Sequence, residues 1–489
     1  MGDNLKNKAV RGVGWSATDA LLAQGINFIV GLILANKLDP HDYGLIGYVA
    51  IFIALFNSIV NSGFSNALIR KKDVKEIDFS TTFTINMVLC VVMSVTLFFF
   101  APLISRFFKE PELIPLTRVM SVIVIINAFS IIQRTVLNKR IDFKTQTKIS
   151  FIANITSGVI GITMAFMDYG VWALVGQQIS AQLLTSILLW LFVRYFPGFK
   201  FSIDSFKELF NFGWKLMASS IIDTVWKEIY QIVIGKTYHT EALGQYTRGK
   251  QFAELLSTNL TTVVQRVSYP TLSAIQDNKE RLKNAYKTII KTTMLVSFVL
   301  LFGLAAISKP LIYVLIGEKW AYAASLLPII CFNFVLYPLS AINLNMLQVE
   351  GRSDLFLKLE ILKKCIAVIP ILLGIFISIE AMLWGNVVTG LIGYYLNSSY
   401  SGRFIGYSMT EQVKDILPSF LLASVMAAIV YVLSWLPISI ILILIIQILT
   451  GAAIVFGFCE LSKKEEYIKT KNAALQLFNK YRSKGNEQE

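Results

Sequence analysis

Apolar residues in this chain fall in long blocks separated by short polar turns, rather than in the alternating or one-face patterns of soluble strands and helices. About 20 apolar residues are enough to cross a roughly 30 Å hydrocarbon layer as helix. Blocks of that kind occupy 12–36, 44–69, 79–104, 114–137, 149–167, 171–193, 209–235, 249–274, 288–308, 325–347, 357–379, 381–404, 415–434 and 437–459. The pattern predicts an all-α polytopic membrane protein with about 14 transmembrane helices.

Composition agrees. The chain has 489 residues, of which 55% are hydrophobic and only 16% charged, and its mean hydropathy is +0.61. Soluble domains carry about a quarter of their residues as charges. A soluble enzyme, a disordered scaffold and a secreted disulfide framework are all excluded. The net charge of +14 would suit nucleic acid, so its placement decides. Loops such as Arg70, Lys71, Lys72, Lys75 and Lys139, Arg140, Lys144, Lys148 alternate with nearly uncharged turns such as Asp168–Gly170. That alternation is the positive-inside bias. It predicts two cytoplasmic termini and no nucleic-acid partner.

Met1 to Arg11 is polar and leads to no cleavage site, so no removable signal peptide is expected. Cys90, Cys331, Cys365 and Cys459 are widely spaced and form no CxxC pair, which predicts neither disulfide nor metal.

The chain repeats itself. Gly14 and Trp15 recur as Gly213 and Trp214, and the turn Leu38–Gly44 corresponds to His239–Gly244. Pro102, Leu103, Ile104 matches Pro310, Leu311, Ile312 at the end of a span, and Ala173–Gly176 resembles Met382–Gly385. Each copy holds six spans, and an even number returns the chain to its starting side. The copies therefore share one orientation, related by an axis along the membrane normal. The predicted organisation is an N-lobe at 1–193, a cytoplasmic linker at 194–208 and a C-lobe at 209–404. Two extra helices at 405–459 and a cytoplasmic tail at 460–489 follow. Two such lobes suit alternating access, with a polar central cavity that opens to either side.

A charge at the bilayer centre costs about 2.5–3.5 kcal/mol on insertion scales, so such residues face a partner or a wet cavity. Span 7 carries Lys215, Ser219, Asp223, Lys227 and Gln231 at four-residue spacing, and span 8 carries Glu254, Thr258 and Gln265, with Arg266 at the edge. Spacing of i, i+4 keeps side chains on one helix face. Span 2 offers Asn57 and Asn61, and span 1 offers Asp19, Gln24 and Asn27. A blander reading pairs Asp223 with Lys227 and Lys250 with Glu254 as structural ion pairs. Arg118 and Arg134, at opposite ends of span 4, fit either interface anchoring or ligand contact. Gln177, Gln178 and Gln182 suit helix–helix hydrogen bonds, and His41 and His239 read as turn residues.

No phosphate-binding loop, nucleophile–base pair or metal-ligand cluster stands out. The expectation is a transporter rather than an enzyme, using no nucleotide, metal or cofactor.

Certain runs carry a resemblance. Gly12-Val13-Gly14-Trp15-Ser16, Leu38-Asp39-Pro40, Asp42-Tyr43-Gly44, Gly63–Ile69, Asn138–Phe143 and Val267–Ser273 resemble the polysaccharide transporter family of the multidrug/oligosaccharidyl-lipid/polysaccharide exporter superfamily. Within it they are similar to Wzx-type flippases of the colanic and teichuronic acid exporter group. The resemblance covers roughly residues 5 to 460.

It implies a bacterial inner-membrane flippase that moves undecaprenyl-pyrophosphate-linked oligosaccharide to the outer leaflet, where a polysaccharide polymerase uses the product for capsule, exopolysaccharide or O-antigen. Membrane lipids are then the other partner. On that reading Lys215, Lys227, Arg266 and Arg118 are candidates for the pyrophosphate, because cationic donors form the stronger hydrogen bonds to phosphate. Asn57, Asn61, Thr258 and Gln265 suit sugar hydroxyls, and Asp19, Asp223 and Glu254 are candidates for coupling to a proton or ion. A drug exporter or lipid II exporter of the same superfamily is the rival, and a membrane glycosyltransferase or polymerase a more distant one. Asp39 and Asp42 superficially suit that last reading, but the external loops are too short for a catalytic domain.

Overall fold

Turn chemistry starts several of the helices. In the turn after α1 (Leu22–Lys37), Pro40 supplies the first helical position of α2 (Pro40–Ser62), and the Asp42 carboxylate accepts the Asp39 N–H at 3.2 Å. Asp142 caps α7 (Phe143–Phe166), Ser202 caps α9 (Ile203–Thr237), Asn278 caps α11 (Lys279–Ala306) and Ser378 caps α17 (Ile379–Ile405). Ser408 and Glu411 form a capping box on α18 (Met409–Val432). These positions come from a computed structural model, which describes residues 22–71, 73–140, 142–273, 275–349 and 353–462. Asp19, the Gly14-Trp15 run and the tail beyond residue 462 lie outside the described residues.

The remaining helices are α3 (Phe64–Arg70), α4 (Glu76–Phe108), α5 (Leu113–Met120), α6 (Val122–Arg140), α8 (Val171–Val193), α10 (Thr240–Ser273), α12 (Ser308–Ile316), α13 (Ala321–Val335), α14 (Tyr337–Val349), α15 (Ser353–Ile366), α16 (Val368–Phe376) and α19 (Ile440–Leu461). Each predicted block holds a helix or a broken pair of helices. Helix α12 is an addition, too short to register as a span. Among the described residues nine helical segments are long and apolar enough to cross a membrane. Helices α9 and α10 are not among the nine, because the polar stripes dilute their apolar windows. Large side chains such as Phe99 (70% exposed) and Leu449 (64%) stand outward where a soluble protein would bury them. This is an all-α polytopic membrane protein.

Packing divides the chain into two compact units, 1–247 and 248–489. The boundary differs from that of the repeat, because α9 packs within the first unit. Helix α2 breaks at Gly63, where the backbone of α9 passes: a Cβ on Gly213 would sit 2.9 Å from the Gly63 carbonyl oxygen. Further along, the Ser58 and Ser220 hydroxyls are 2.7 Å apart, and the Tyr48 hydroxyl donates to the Gly235 carbonyl at 2.9 Å. In the second unit, Phe420 of α18 packs edge-on against Phe298 and Phe302 of α11. Buried Gln412 and Gln447 bond within that unit, Gln412 to Asn343 and Gln447 to the Val430 carbonyl.

Segment 194–208 is docked rather than slack. Arg194 leaves α8 in the left-handed region (φ 49°). The Ser80 hydroxyl donates to the Pro197 carbonyl, the Ser202 N–H donates to Thr81 Oγ1 at 3.1 Å, and the Phe83 and Phe199 rings pack 5.3 Å apart. Asp78, 2% exposed, accepts from the Ser205 hydroxyl at 2.5 Å and from the Lys71 ammonium at 3.0 Å. Lys71 also bonds Glu208 at 2.8 Å, and that bond leads in raising the lysine pKa above its ordinary value, with Asp78 adding to it. A group with a raised pKa contributes its stability fully at neutral pH and loses it only as pH climbs through the raised value.

Replacing Asp78 by Ala removes one partner of a nearly buried pair, a change that costs about 3 kcal/mol. Glu208→Ala touches an exposed acceptor, worth at most about 1 kcal/mol. Thermal unfolding of the purified protein should therefore fall by several degrees for D78A and barely move for E208A. Equal shifts would show that Asp78 does not anchor the start of α9.

Candidate functional site

The hydrophilic side of α9 is the most unusual surface of the first unit. Lys215, Ser219, Asp223 and Lys227 are all exposed, and Gln231 is half-buried and donates to the Glu228 carboxylate. Ser220 is midway along α9, so these charges lie in the part of the helix that must cross the hydrocarbon. Among the described residues, Lys215 and Lys227 make no hydrogen bond or ion pair, so the Asp223–Lys227 pairing that the spacing allows is not formed. Four residues turn a helix by about 400°, so the stripe drifts about 40° per step. It winds around α9 rather than keeping to one face, as the i, i+4 spacing alone suggests. Its Gln231 end approaches the side that packs on α2, which is why Gln231 is half-buried and Lys215 is not.

The second unit repeats the theme on α10. Ser257, Thr261 and Ser268 are buried, and the Ser257 hydroxyl donates to the Phe334 carbonyl at 2.9 Å. The other side presents half-buried Glu254, Thr258 and Gln265, with exposed Arg266. The Thr258 hydroxyl donates to the Glu254 carbonyl at 2.6 Å and keeps only its lone pairs for a ligand. Among the described residues Lys250 and Glu254 do not form the ion pair their spacing permits.

Other candidates are placed differently. Asn57 accepts the Asn127 amide at 2.7 Å, and Asn127 in turn accepts Gln182 at 3.1 Å. Asn57 thus belongs to an amide chain linking α2, α6 and α8, while Asn61, one turn on, is exposed. Arg118 stacks over the Phe98 ring, 4.9 Å from its centroid. Asp42 serves as a helix cap.

One feature escaped the sequence reading. The matched turns at His41 and His239 meet in the first unit, glycine to backbone. A Cβ on Gly44 would lie 1.9 Å from the Thr240 carbonyl oxygen, and one on Gly244 would lie 1.8 Å from that of Pro40. Around this crossing the Thr240 hydroxyl donates to Glu110, which lies 4.0 Å from His41, and Tyr48 packs on Phe108 at 4.3 Å. Lys236 donates to the Phe107 carbonyl at 2.5 Å. The signal was available in the repeat itself, since Gly44 and Gly244 occupy equivalent positions.

Residues 33–325, which contain both hydrophilic stripes, match the family model described as "Polysaccharide biosynthesis protein". The chain belongs to this polysaccharide biosynthesis protein family.

Curated relatives of this family member agree along most of their length. It is 25% identical to the lipopolysaccharide biosynthesis protein WzxC of Escherichia coli K12, over 86% of this chain and 82% of that one. It is 24% identical to the teichuronic acid biosynthesis protein TuaB of Bacillus subtilis 168, over 88% and 89%. With the succinoglycan biosynthesis transport protein ExoT of Rhizobium meliloti 1021 it shares 25% identity over 78% of each chain. The fold resembles that of the lipid II flippase MurJ in its inward closed conformation (TM-score 0.73, 16% identity, 91% of this chain and 98% of that one). It also resembles an inward-facing multidrug transporter of the MATE family (TM-score 0.61, 16% identity, 78% and 95%). At such identities these two likenesses concern the fold alone. They place this member of the polysaccharide biosynthesis family on an all-α polytopic membrane fold, as its spans predicted.

Proposed function

We propose that this protein is a flippase for undecaprenyl-pyrophosphate-linked oligosaccharide, working in the bacterial inner membrane from the cytoplasmic to the outer leaflet. The observation that carries the reading is the exposed, cation-bearing stripe at the middle of α9. A sugar headgroup cannot cross hydrocarbon unaided, because nothing there replaces its hydrogen bonds to water. Amides, hydroxyls and two lysines without an ion-pair partner among the described residues supply that replacement. Lys215 and Lys227 in the first unit and Arg266 in the second are the cations for the pyrophosphate, and Asn61 in the first and Thr258 and Gln265 in the second suit the sugar. Asp223 and Glu254 remain the candidates for coupling to an ion.

The polyprenyl chain needs a different surface. A cavity of about 400 Å³ in the second unit is lined by Leu256, Val299, Leu304, Met426, Ile448 and Val455, among others, and suits an apolar tail. The product, delivered with its headgroup outside, is the form a polymerase would extend. Relatives named for lipopolysaccharide, teichuronic acid and succinoglycan biosynthesis support a polymer-building role.

Reconstitution tests the proposal. Liposomes carrying the purified protein and a lipid-linked oligosaccharide should make internally placed sugar accessible to an added external glycosidase, and protein-free liposomes should not. Accessibility of lipid II but of no lipid-linked oligosaccharide would replace this reading with that of a lipid II exporter. Protection of cells from cationic drugs without any sugar exposure would point to a drug exporter.

A further inference from the structure

We propose that the first unit holds a binding site for the phosphate group of an anionic lipid, in a cavity formed by α6, α7 and α8. The cavity measures about 240 Å³ and is lined by Arg134, Asn138, Gln146, Ser150 and Thr185, with buried Ile149 and Leu189 as its apolar base. It lies on different helices from the α9 stripe.

Its depth suits a headgroup. Arg134 is six residues from Arg140, the end of α6, or about 9 Å along the helix axis. Ser150 is seven residues inside the start of α7, about 10 Å, and Thr185 eight residues from the end of α8, about 12 Å. The span Leu113–Arg140 has 28 residues, about 42 Å of helix, and so overshoots a roughly 30 Å core by about 6 Å at each end. The cavity therefore sits just within the hydrocarbon boundary, below the end that carries Lys139, Arg140, Lys144 and Lys148.

Its chemistry suits a phosphate. The guanidinium is permanently charged and its planar fork matches two phosphate oxygens. Gln146 donates to Asn138 Oδ1 at 3.0 Å, which leaves the Asn138 amide hydrogens and one on Gln146 directed to other acceptors. The Ser150 hydroxyl adds a further donor, while the Thr185 hydroxyl is engaged with the Ala181 carbonyl at 2.7 Å. Among the described residues that line the cavity there is no carboxylate. The nearest in sequence, Asp142, caps α7 by accepting the Thr145 N–H and hydroxyl. An arginine that merely snorkels to water requires neither a cavity nor neutral donors from the neighbouring α7.

The phosphate could belong to a bilayer phospholipid or to the polyprenyl-linked substrate itself, and thermal unfolding of the purified full chain separates the two. Phosphatidylglycerol, phosphatidylcholine and undecaprenyl pyrophosphate are added in parallel. An anionic lipid is expected to raise Tm by several degrees where phosphatidylcholine does not. Arg134→Gln should abolish the increment, and so should Ser150→Leu, which fills the cavity and keeps the arginine. A response to phosphatidylglycerol alone assigns the site to bilayer lipid, and one to the undecaprenyl compound alone assigns it to substrate. The latter outcome is independent of whether flipping occurs. A response that survives both substitutions, or equal responses to phosphatidylglycerol and phosphatidylcholine, overturns the proposal. Should the variants fail to fold, native mass spectrometry of the wild-type protein decides, because retention of phosphatidylglycerol no greater than that of phosphatidylcholine would also overturn it.

Discussion

Protein carrying Lys227→Gln together with Arg266→Gln should insert, fold and unfold at a normal temperature, yet lose sugar translocation by at least a hundredfold. Both side chains are exposed and neither has an ion-pair partner among the described residues, so their removal breaks no packing. A hydrogen bond to a charged group contributes about 1.5–3 kcal/mol, and the two together about 3–6 kcal/mol. At 1.4 kcal/mol per factor of ten, that is two to four orders of magnitude in binding of an anionic headgroup. Lys215→Gln alone should lose about tenfold or more. Initial rates of glycosidase-accessible sugar in liposomes are the measurement. A double variant that transports at the wild-type rate would remove these cations from the substrate path and leave the α9 stripe without its assigned role.

The glycine crossing predicts the second large effect. Gly44→Ala and Gly244→Ala each drive a methyl group into a backbone carbonyl, which no rotamer change can avoid. Overpacking typically costs up to about 3 kcal/mol, or roughly a hundredfold in population. The expected result is a crossing that stays apart rather than a chain that fails to fold. A cysteine placed at Leu243, fully buried beside Gly47, reports the change. In a Cys365→Ser background it should react with an impermeant maleimide added outside at least tenfold faster when Gly44 is Ala. Unchanged reactivity in a normally folded G44A protein would mean that the contact does not govern access from that side.

Helix positions were legible because hydrocarbon thickness imposes a minimum apolar length, and few sequences satisfy it by accident. Helix α12 was not legible, since its nine residues fall below that threshold. The break at Gly63 depends on Gly213, a residue 150 positions away, and no local pattern announces such an approach. Asn57 illustrates a different limit. Periodicity can place an amide on a polar face but cannot say whether its partner is a ligand or, as here, Asn127. The docking of 194–208 was equally hidden, because Asp78, Ser80 and Thr81 look like an ordinary polar helix start until Ser205 and Ser202 are brought to them. The α9 cations were readable from spacing alone. Their winding came from the mismatch between a four-residue spacing and a turn of 3.6.

That mismatch shapes the route of any headgroup handed along α9. From Lys215 to Gln231 is sixteen residues, an advance of about 24 Å accompanied by a rotation of about 160°. The track is a screw thread, not a straight slot, and cargo following it must swivel as it rises. A compact or flexible glycan can swivel freely, whereas a long rigid one would sweep its far end through neighbouring helices. On the proposed function, pitch as much as chemistry would then limit the length of sugar carried.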